Sequence, residues 1–129
     1  MTATTHALEL TTAAAVAAAD KLAREIVAFD VSDQLVITDV FLVCSAANDR
    51  QVRAVVDAVQ ERLLELGARP VRREGERQGR WVLLDYADLV VHVQHQEERA
   101  FYALERIWRD CPVLPLPGSV ATPRADGEG

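Results

Sequence analysis

The side chains best suited to chemistry are His92 and His95, which with a carboxylate could hold a divalent metal, and Cys44, which beside a histidine could act as a nucleophile. Both fail on their surroundings. The segment DLVVHVQH reads as a strand, and strand positions three apart point to opposite faces, so His92 and His95 cannot share one ion. Cys44 sits in the apolar run VFLVCSA, where a free cysteine is ordinarily a small core residue. Gly75 and Gly79 bracket GERQG, yet there is no GxxxxGK[ST] and no helix after it to present its amides to a phosphate. No DxD pair lies in a strand, and Asp30, Asp33 and Asp39 fall around turns, where acids are common for local reasons. No catalytic residue, metal or cofactor is therefore expected.

The charge layout says more. Residues 69–80 hold five arginines and two glutamates, whereas residues 81–98 hold Asp85, Asp88, Glu97 and Glu98 with no lysine or arginine. A basic segment thus abuts an acidic one across RREGERQGRWVLLDYADLVVHVQHQEE. In strand 80–86, Trp81, Leu83 and Asp85 share one face, while Val82, Leu84 and Tyr86 share the other. One face must be core. On pattern alone Trp81 fits equally a residue that closes the core and an exposed aromatic anchor of a protein interface.

These residues need elements to position them. A first helix is expected from Thr11 or Thr12 through AAAVAAADKLARE, and a strand over 26–31. VITDVFLVCSA, 36–46, reads as a second, central strand. Asn48 caps a helix with Gln51 in a capping-box position; Val52, Val55, Val56, Val59, Leu63 and Leu66 then form an amphipathic stripe that Gly67 ends. RPVRRE is a short polar edge strand, and RWVLLDY and DLVVHVQH pair across a tight turn at Asp85-Tyr86-Ala87-Asp88. A last helix is expected from about Gln96 to Arg109. From Cys111 four of the five prolines appear, which reads as a disordered tail over 111–129. The order α-β-β-α-β-β-β-α gives a single α/β domain over 1–110, with helices packed on a mixed sheet of about five strands.

Composition narrows the partner. With 129 residues, half of them hydrophobic, the chain can bury a core of its own. A formal net charge of −6 argues against nucleic acid as the main partner, although an acidic protein can still dock on a basic one. The two cysteines form no CxxC pair or Cys/His ligand set. The start MTATTHALELTT lacks arginine and lysine, and the Ala-rich run 13–19 is too short and too soon charged for a signal peptide or a membrane span. The expectation is a soluble cytoplasmic protein with no membrane contact.

NDRQV at 48–52, RREGERQGRWVLLDYADLVVHV at 72–93 and EERAFYALERIW at 97–108, in this order and spacing, resemble the Iojap-related family of ribosomal silencing factors. The resemblance covers roughly residues 10–110. Asp39 and Phe41 stand where the family shows Asp-Tyr-Phe, with Val40 in place of the tyrosine; Ala46 and Ala87 stand where members commonly carry glycine. The resemblance implies a nucleotidyltransferase-like fold without catalytic carboxylates, and a homodimeric, non-enzymatic repressor of translation. Such factors bind the large ribosomal subunit through its protein fourteen and block joining of the small subunit when nutrients are short. The alternatives are a large-subunit assembly factor and a residual nucleotidyltransferase-like enzyme. The expected partner-binding surface is Trp81, Leu83, Asp85, Tyr86, Asp88, His92, Glu97, Glu98 and Arg99, its acids suited to a basic ribosomal protein. Trp81 and Tyr86 lie on opposite strand faces, so one of those two assignments is expected to fail.

Overall fold

A computed structural model describes residues 3–33, 38–75, 80–97 and 110–120. Its elements are α1 (Thr5–Asp20), β1 (Arg24–Asp30), β2 (Val40–Ala46), α2 (Asp49–Glu65), β3 (Arg72–Gly75), β4 (Trp81–Asp85) and β5 (Leu89–His95). The sheet order is β1-β2-β5-β4-β3. Only β2 and β5 run parallel; the other three pairs are antiparallel. The expected mixed five-stranded α/β sheet is what is found.

Both helices lie on one face of this sheet and pack against each other. Between helices and sheet sits the main core, which takes Val40, Leu42, Cys44 and Ala46 from β2 and Leu89, Val91 and Val93 from β5. From α2 it takes Val52, Val55, Val56, Val59 and Leu63, the stripe expected from their spacing. Leu66 does not belong to it; as the C-cap it is exposed. Val40, which replaces a tyrosine of the family pattern, is fully buried here.

α1 begins earlier than expected. Thr4, not Thr11 or Thr12, is the N-cap, and its Oγ1 accepts from the Ala7 N–H at 3.1 Å. Two carboxylates distant in sequence fix this start: Asp30 accepts from the Ala3 N–H at 3.0 Å and Asp39 from the Thr4 N–H at 2.9 Å. Thr11 lies inside the helix, and its hydroxyl donates to the Ala7 carbonyl at 2.7 Å. The helix also stops earlier, at Asp20, so that Lys21–Ala23 form a turn and β1 opens at Arg24.

Both helices end in the same hydrogen-bonded motif. In α2 the Ala68 N–H reaches Leu63 O and the Gly67 N–H reaches Leu64 O; in α1 the Ala23 N–H reaches Ala18 O and the Leu22 N–H reaches Ala19 O. This is the Schellman arrangement, which puts its C′ residue at positive φ and favours glycine there. α2 supplies Gly67 (φ 86°), but α1 supplies Leu22 (φ 66°), whose side chain is 73% exposed. The strain at Leu22 is thus not offset by packing.

The strand expected over 36–46 begins at Val40; residues 34–37 lie outside the described residues. A bulge in β1 places Glu25 at φ 49° between Arg24, opposite Ser45, and Val27, opposite Val43. Residues 112–114, within the segment expected to be disordered, instead lie along β1. The Asp30 N–H donates to Pro112 O, the Leu114 N–H donates to Ala28 O, and Phe29 bridges Val113. Prolines are tolerated on such an edge because their missing N–H faces away from the ladder. Cys111 and Val120 are buried. Beyond the opening residues Gln96 and Glu97, the last expected helix falls outside the described residues.

Leu22→Gly should stabilise the protein by about 1 kcal/mol by removing left-handed strain, while Gly67→Ala, where an added Cβ meets nothing within 4 Å, should cost about 1 kcal/mol for conformation alone. Urea midpoints at unchanged m-value check both. Asp30 governs a response to acid. Besides the Ala3 N–H it accepts from the Ser32 N–H at 3.0 Å and the Ser32 hydroxyl at 2.6 Å. Burial pushes its pKa up, but the bonds from Ser32 and Ala3 outweigh that and leave it below its ordinary value. Its contribution is therefore present above the ordinary carboxylate range and is lost as pH falls through the lowered folded-state value. Asp30→Asn should flatten this acid limb of stability against pH; an unchanged limb would locate the acid sensitivity elsewhere.

Candidate docking surface

β4 carries the candidate site because its alternation sends two sets of side chains to different environments. Val82 and Leu84 are buried under the helices, whereas Trp81, Leu83 and Asp85 on the opposite face are half-buried. The register extends this face across the sheet. Leu83 pairs with His92 of β5, which pairs with Val43 of β2; Asp85 pairs with Val90, which pairs with Phe41. On β3, Glu74 is opposite Leu83 and Arg72 is opposite Asp85.

His92 is the centre of this face. Its ring meets Trp81 edge-on at 5.7 Å and Phe41 at 6.2 Å, an aromatic arrangement that fixes all three rings. Gln94, opposite Trp81, is buried, and its Oε1 has no hydrogen-bond partner among the described residues. Trp81 is also held through its backbone. Gly75 lies against it so closely that a Cβ there would come within 2.8 Å of the Trp81 carbonyl oxygen. Glycine at 75 is thus explained by close strand approach, not by phosphate binding.

The charges pair with one another. Arg72 Nη2 reaches Asp85 at 3.4 Å, and Arg80 Nη2 reaches Glu97 at 2.9 Å. Arg80 also stands 4.0 Å from Asp49 in the first turn of α2, tying the start of β4 to that helix. The basic and acidic segments are therefore each other's partners in part. At such exposed positions each pair is worth about 0–1 kcal/mol, so they orient the surface more than they stabilise it.

The structure sorts the expected residues. Trp81, Leu83 and Asp85 come together half-buried on one face around His92, which is itself 7% exposed and so supports that face from beneath. Tyr86 does not join them: it lies in the core beneath the helices at 6% exposure, so its assignment as an interface anchor is corrected. Burial pushes its hydroxyl pKa up to about 12, and its Oη has no partner among the described residues. Asp88 is half-buried in the turn, where its carbonyl accepts from the Asp39 and Val40 N–H groups, both at 3.2 Å. Glu97 is exposed beside Arg80. Glu98 and Arg99 lie outside the described residues. Sequence reasoning missed Arg80, Phe41 and Gln94. A cation directly before Trp81 was the available signal for Arg80, and strand parity was the signal for Gln94.

The turn itself uses a left-handed residue. Ala87 has φ 73° where family members commonly carry glycine, and its N–H is held by Asp85 Oδ1 at 2.8 Å. His95 faces the helices and His92 the opposite side, and no group of three or more His, Cys, Asp or Glu that could hold a metal occurs among the described residues.

The family model described as ribosomal silencing factor during starvation matches residues 4–128. The chain belongs to this family. It is 40% identical over 102 residues to the ribosomal silencing factor RsfS of Halalkalibacterium halodurans, covering 79% of this chain and 87% of that one. Against RsfS of Bacillus subtilis the identity is 40% over 103 residues, covering 80% and 87%. Among solved structures, a Chromobacterium violaceum protein superposes with a TM-score of 0.76 at 33% identity, covering 79% of this chain and 85% of that one. A Bacillus halodurans structure gives 0.73 at 37%, covering 88% and all of that chain. A more distant relative, at 29% identity, is the mouse mitochondrial assembly of ribosomal large subunit protein 1; the match spans 67% of this chain and 39% of that protein. As a ribosomal silencing factor the chain is a regulatory protein of translation. No helix among the described residues is long and apolar enough to cross a membrane.

Removing the Tyr86 hydroxyl leaves no partner orphaned among the described residues. Tyr86→Phe should hold stability within about 1 kcal/mol of the parent, or raise it, and leave partner binding unchanged. A loss of binding on a fully folded Tyr86→Phe protein would return Tyr86 to the interface.

Proposed function

We propose that this silencing factor binds the large ribosomal subunit through its protein fourteen, using the sheet face of Trp81, Leu83, Asp85 and His92 with the flanking Asp88, Glu97, Glu98 and Arg99. Bound there, it blocks joining of the small subunit by bulk and represses translation when nutrients are limiting. It does so without catalysis, in the cytoplasm and as a homodimer.

One observation carries the reading. The β4 face opposite the helices presents a half-buried tryptophan and leucine, braced by His92 and Phe41, on the long motif that links this chain to the family. Aromatic residues with packed neighbours and an acidic rim are what an interface centre needs. Within that rim, Asp85 and Glu97 already have arginine partners, so Asp88 is left as the described acid with no intramolecular ion pair to break on binding. Steering by charge is correspondingly modest, and the apolar contact of Trp81 and Leu83 supplies most of the affinity.

A second reading, assembly of the large subunit, is favoured by the name of the mouse relative. It uses the same surface but predicts association with precursor particles and no effect on mature subunits.

Sedimentation of purified subunits under reassociating conditions separates the two readings. Silencing predicts co-sedimentation with the large subunit and loss of joined ribosomes; co-sedimentation with joining intact selects assembly. Trp81→Ala should weaken large-subunit binding by at least about thirtyfold, near 2 kcal/mol, with the fold retained. Unchanged affinity in that variant would place the interface elsewhere.

A further inference from the structure

We propose that the concavity at the junction of α1 and α2 is a second contact site on the ribosome, one that takes the sugar-phosphate backbone of RNA. The inference rests on the proposed binding to the large subunit and deepens it by naming a second partner chemistry.

The concavity has a volume of about 540 Å³, and its charged lining is Lys21, Arg24 and Arg50 against the single carboxylate of Asp20. Four of the six other described arginines have a side-chain partner, and Arg53 and Arg69 have none among the described residues. Arg62 is paired with Glu65, Arg72 with Glu74 and Asp85, Arg80 with Glu97, and Arg73 donates to Gln60. Lys21, Arg24 and Arg50 are exposed and have no ion pair among the described residues. What sets them apart is that all three line one concavity, with a single carboxylate beside them.

The site is also held rigid. Gln51 Nε2 donates to the Lys21 carbonyl at 3.0 Å while its Oε1 accepts from the Ala47 N–H at 2.7 Å, clamping the end of α1 to the start of α2. This is a variation on the capping box, since Gln51 reaches one residue beyond the N-cap Asn48. The strained turn at Leu22 sets Lys21 and Arg24 on either side of it. These bonds fix the spacing of the backbone that carries Lys21 and Arg50 and leave their side chains free to reach a phosphate.

Position connects this site to the docking surface. Ala46 pairs with His95 and Gln94 with Trp81, so the ends of β2 and β5 and the start of β4 share one end of the sheet. The concavity opens at that end, where Ala47 and Asn48 follow β2. A protein partner held at Trp81 would sit beside the RNA that surrounds any ribosomal protein. The phosphate contact would then add affinity and salt dependence without base-specific readout. With a net charge of −6, the body of the protein opposes RNA elsewhere and confines the contact to this end.

The test uses the full chain with Lys21, Arg24 and Arg50 all changed to alanine, Arg50→Glu alone as a milder second variant, and Arg62→Ala as a control. Circular dichroism confirms folding. Binding to purified large subunits is measured against salt, and binding to a short single-stranded RNA of mixed sequence is measured at low salt. The triple variant should weaken both by about tenfold or more and reduce the slope of log affinity against log salt by about two, whereas Arg62→Ala should change neither. Unchanged subunit affinity and slope in the triple variant would overturn the proposal. Loss of subunit binding with no RNA binding by the parent protein would also overturn it, and would assign the cations to an acidic protein segment. If the parent protein binds no large subunit at all, the proposed function fails, and the RNA arm alone decides whether the concavity holds phosphates.

Discussion

The parallel pairing of β2 with β5 is the constraint on which the other features depend. Its register, Val40 with Leu89 through Ala46 with His95, decides which alternate residues meet the helices. Five fully buried aliphatic side chains on these two strands, Val40, Leu42, Leu89, Val91 and Val93, share the helix-facing layer. At roughly 1.5–3 kcal/mol for each buried aliphatic side chain, that layer holds the register far more firmly than the surface ion pairs could. β4 inherits its orientation from β5, since Val82 must match Val93 and Leu84 must match Val91. A slip of one residue would bury Trp81 and expose Tyr86, exchanging the surface for its opposite.

Much of this was legible because side-chain period survives in sequence. α2, β4 and β5 follow from spacing alone, and the parity of strand 80–86 already separated Trp81 from Tyr86. What parity could not say was which face the helices cover; that depends on α1 and α2 packing on the same side, a tertiary fact. The start of α1 was illegible for a related reason. Several threonines could cap, and the choice of Thr4 depends on hydrogen bonds to Asp30 and Asp39 from 27 and 35 residues away. The end of α1 gave no signal because leucine occupies a position that glycine would have marked. Proline content misled for residues 112–114, where the chain gains backbone bonds from β1 that composition cannot foretell.

The charge pattern is segregated along the chain and changes its meaning on folding. Antiparallel β3 and β4 bring Arg72 against Asp85, and the approach of β4 to the end of β5 brings Arg80 against Glu97. Segments that are opposite in sign become neighbours in space, and their net effect at a distance falls. An acidic face for a basic partner, inferred from residues 81–98 as a block, therefore shrinks to a rim around an apolar centre.

That rearrangement explains why Arg80 matters more than its neighbours in sequence. It stands one residue before Trp81, its carbonyl accepts from the His95 N–H at 2.7 Å, and its guanidinium contacts both Glu97 and Asp49. It thereby joins the start of β4, the end of β5 and the first turn of α2. Asp49 and Arg50 are consecutive, so one turn of α2 meets Arg80 at the start of β4 through the first and lines the α1–α2 concavity through the second. Aromatic face and cationic concavity are consequently parts of one rigid end of the domain. A partner that engages both meets an aromatic face already braced by its neighbours, so the ordering that binding requires falls on the exposed cationic side chains.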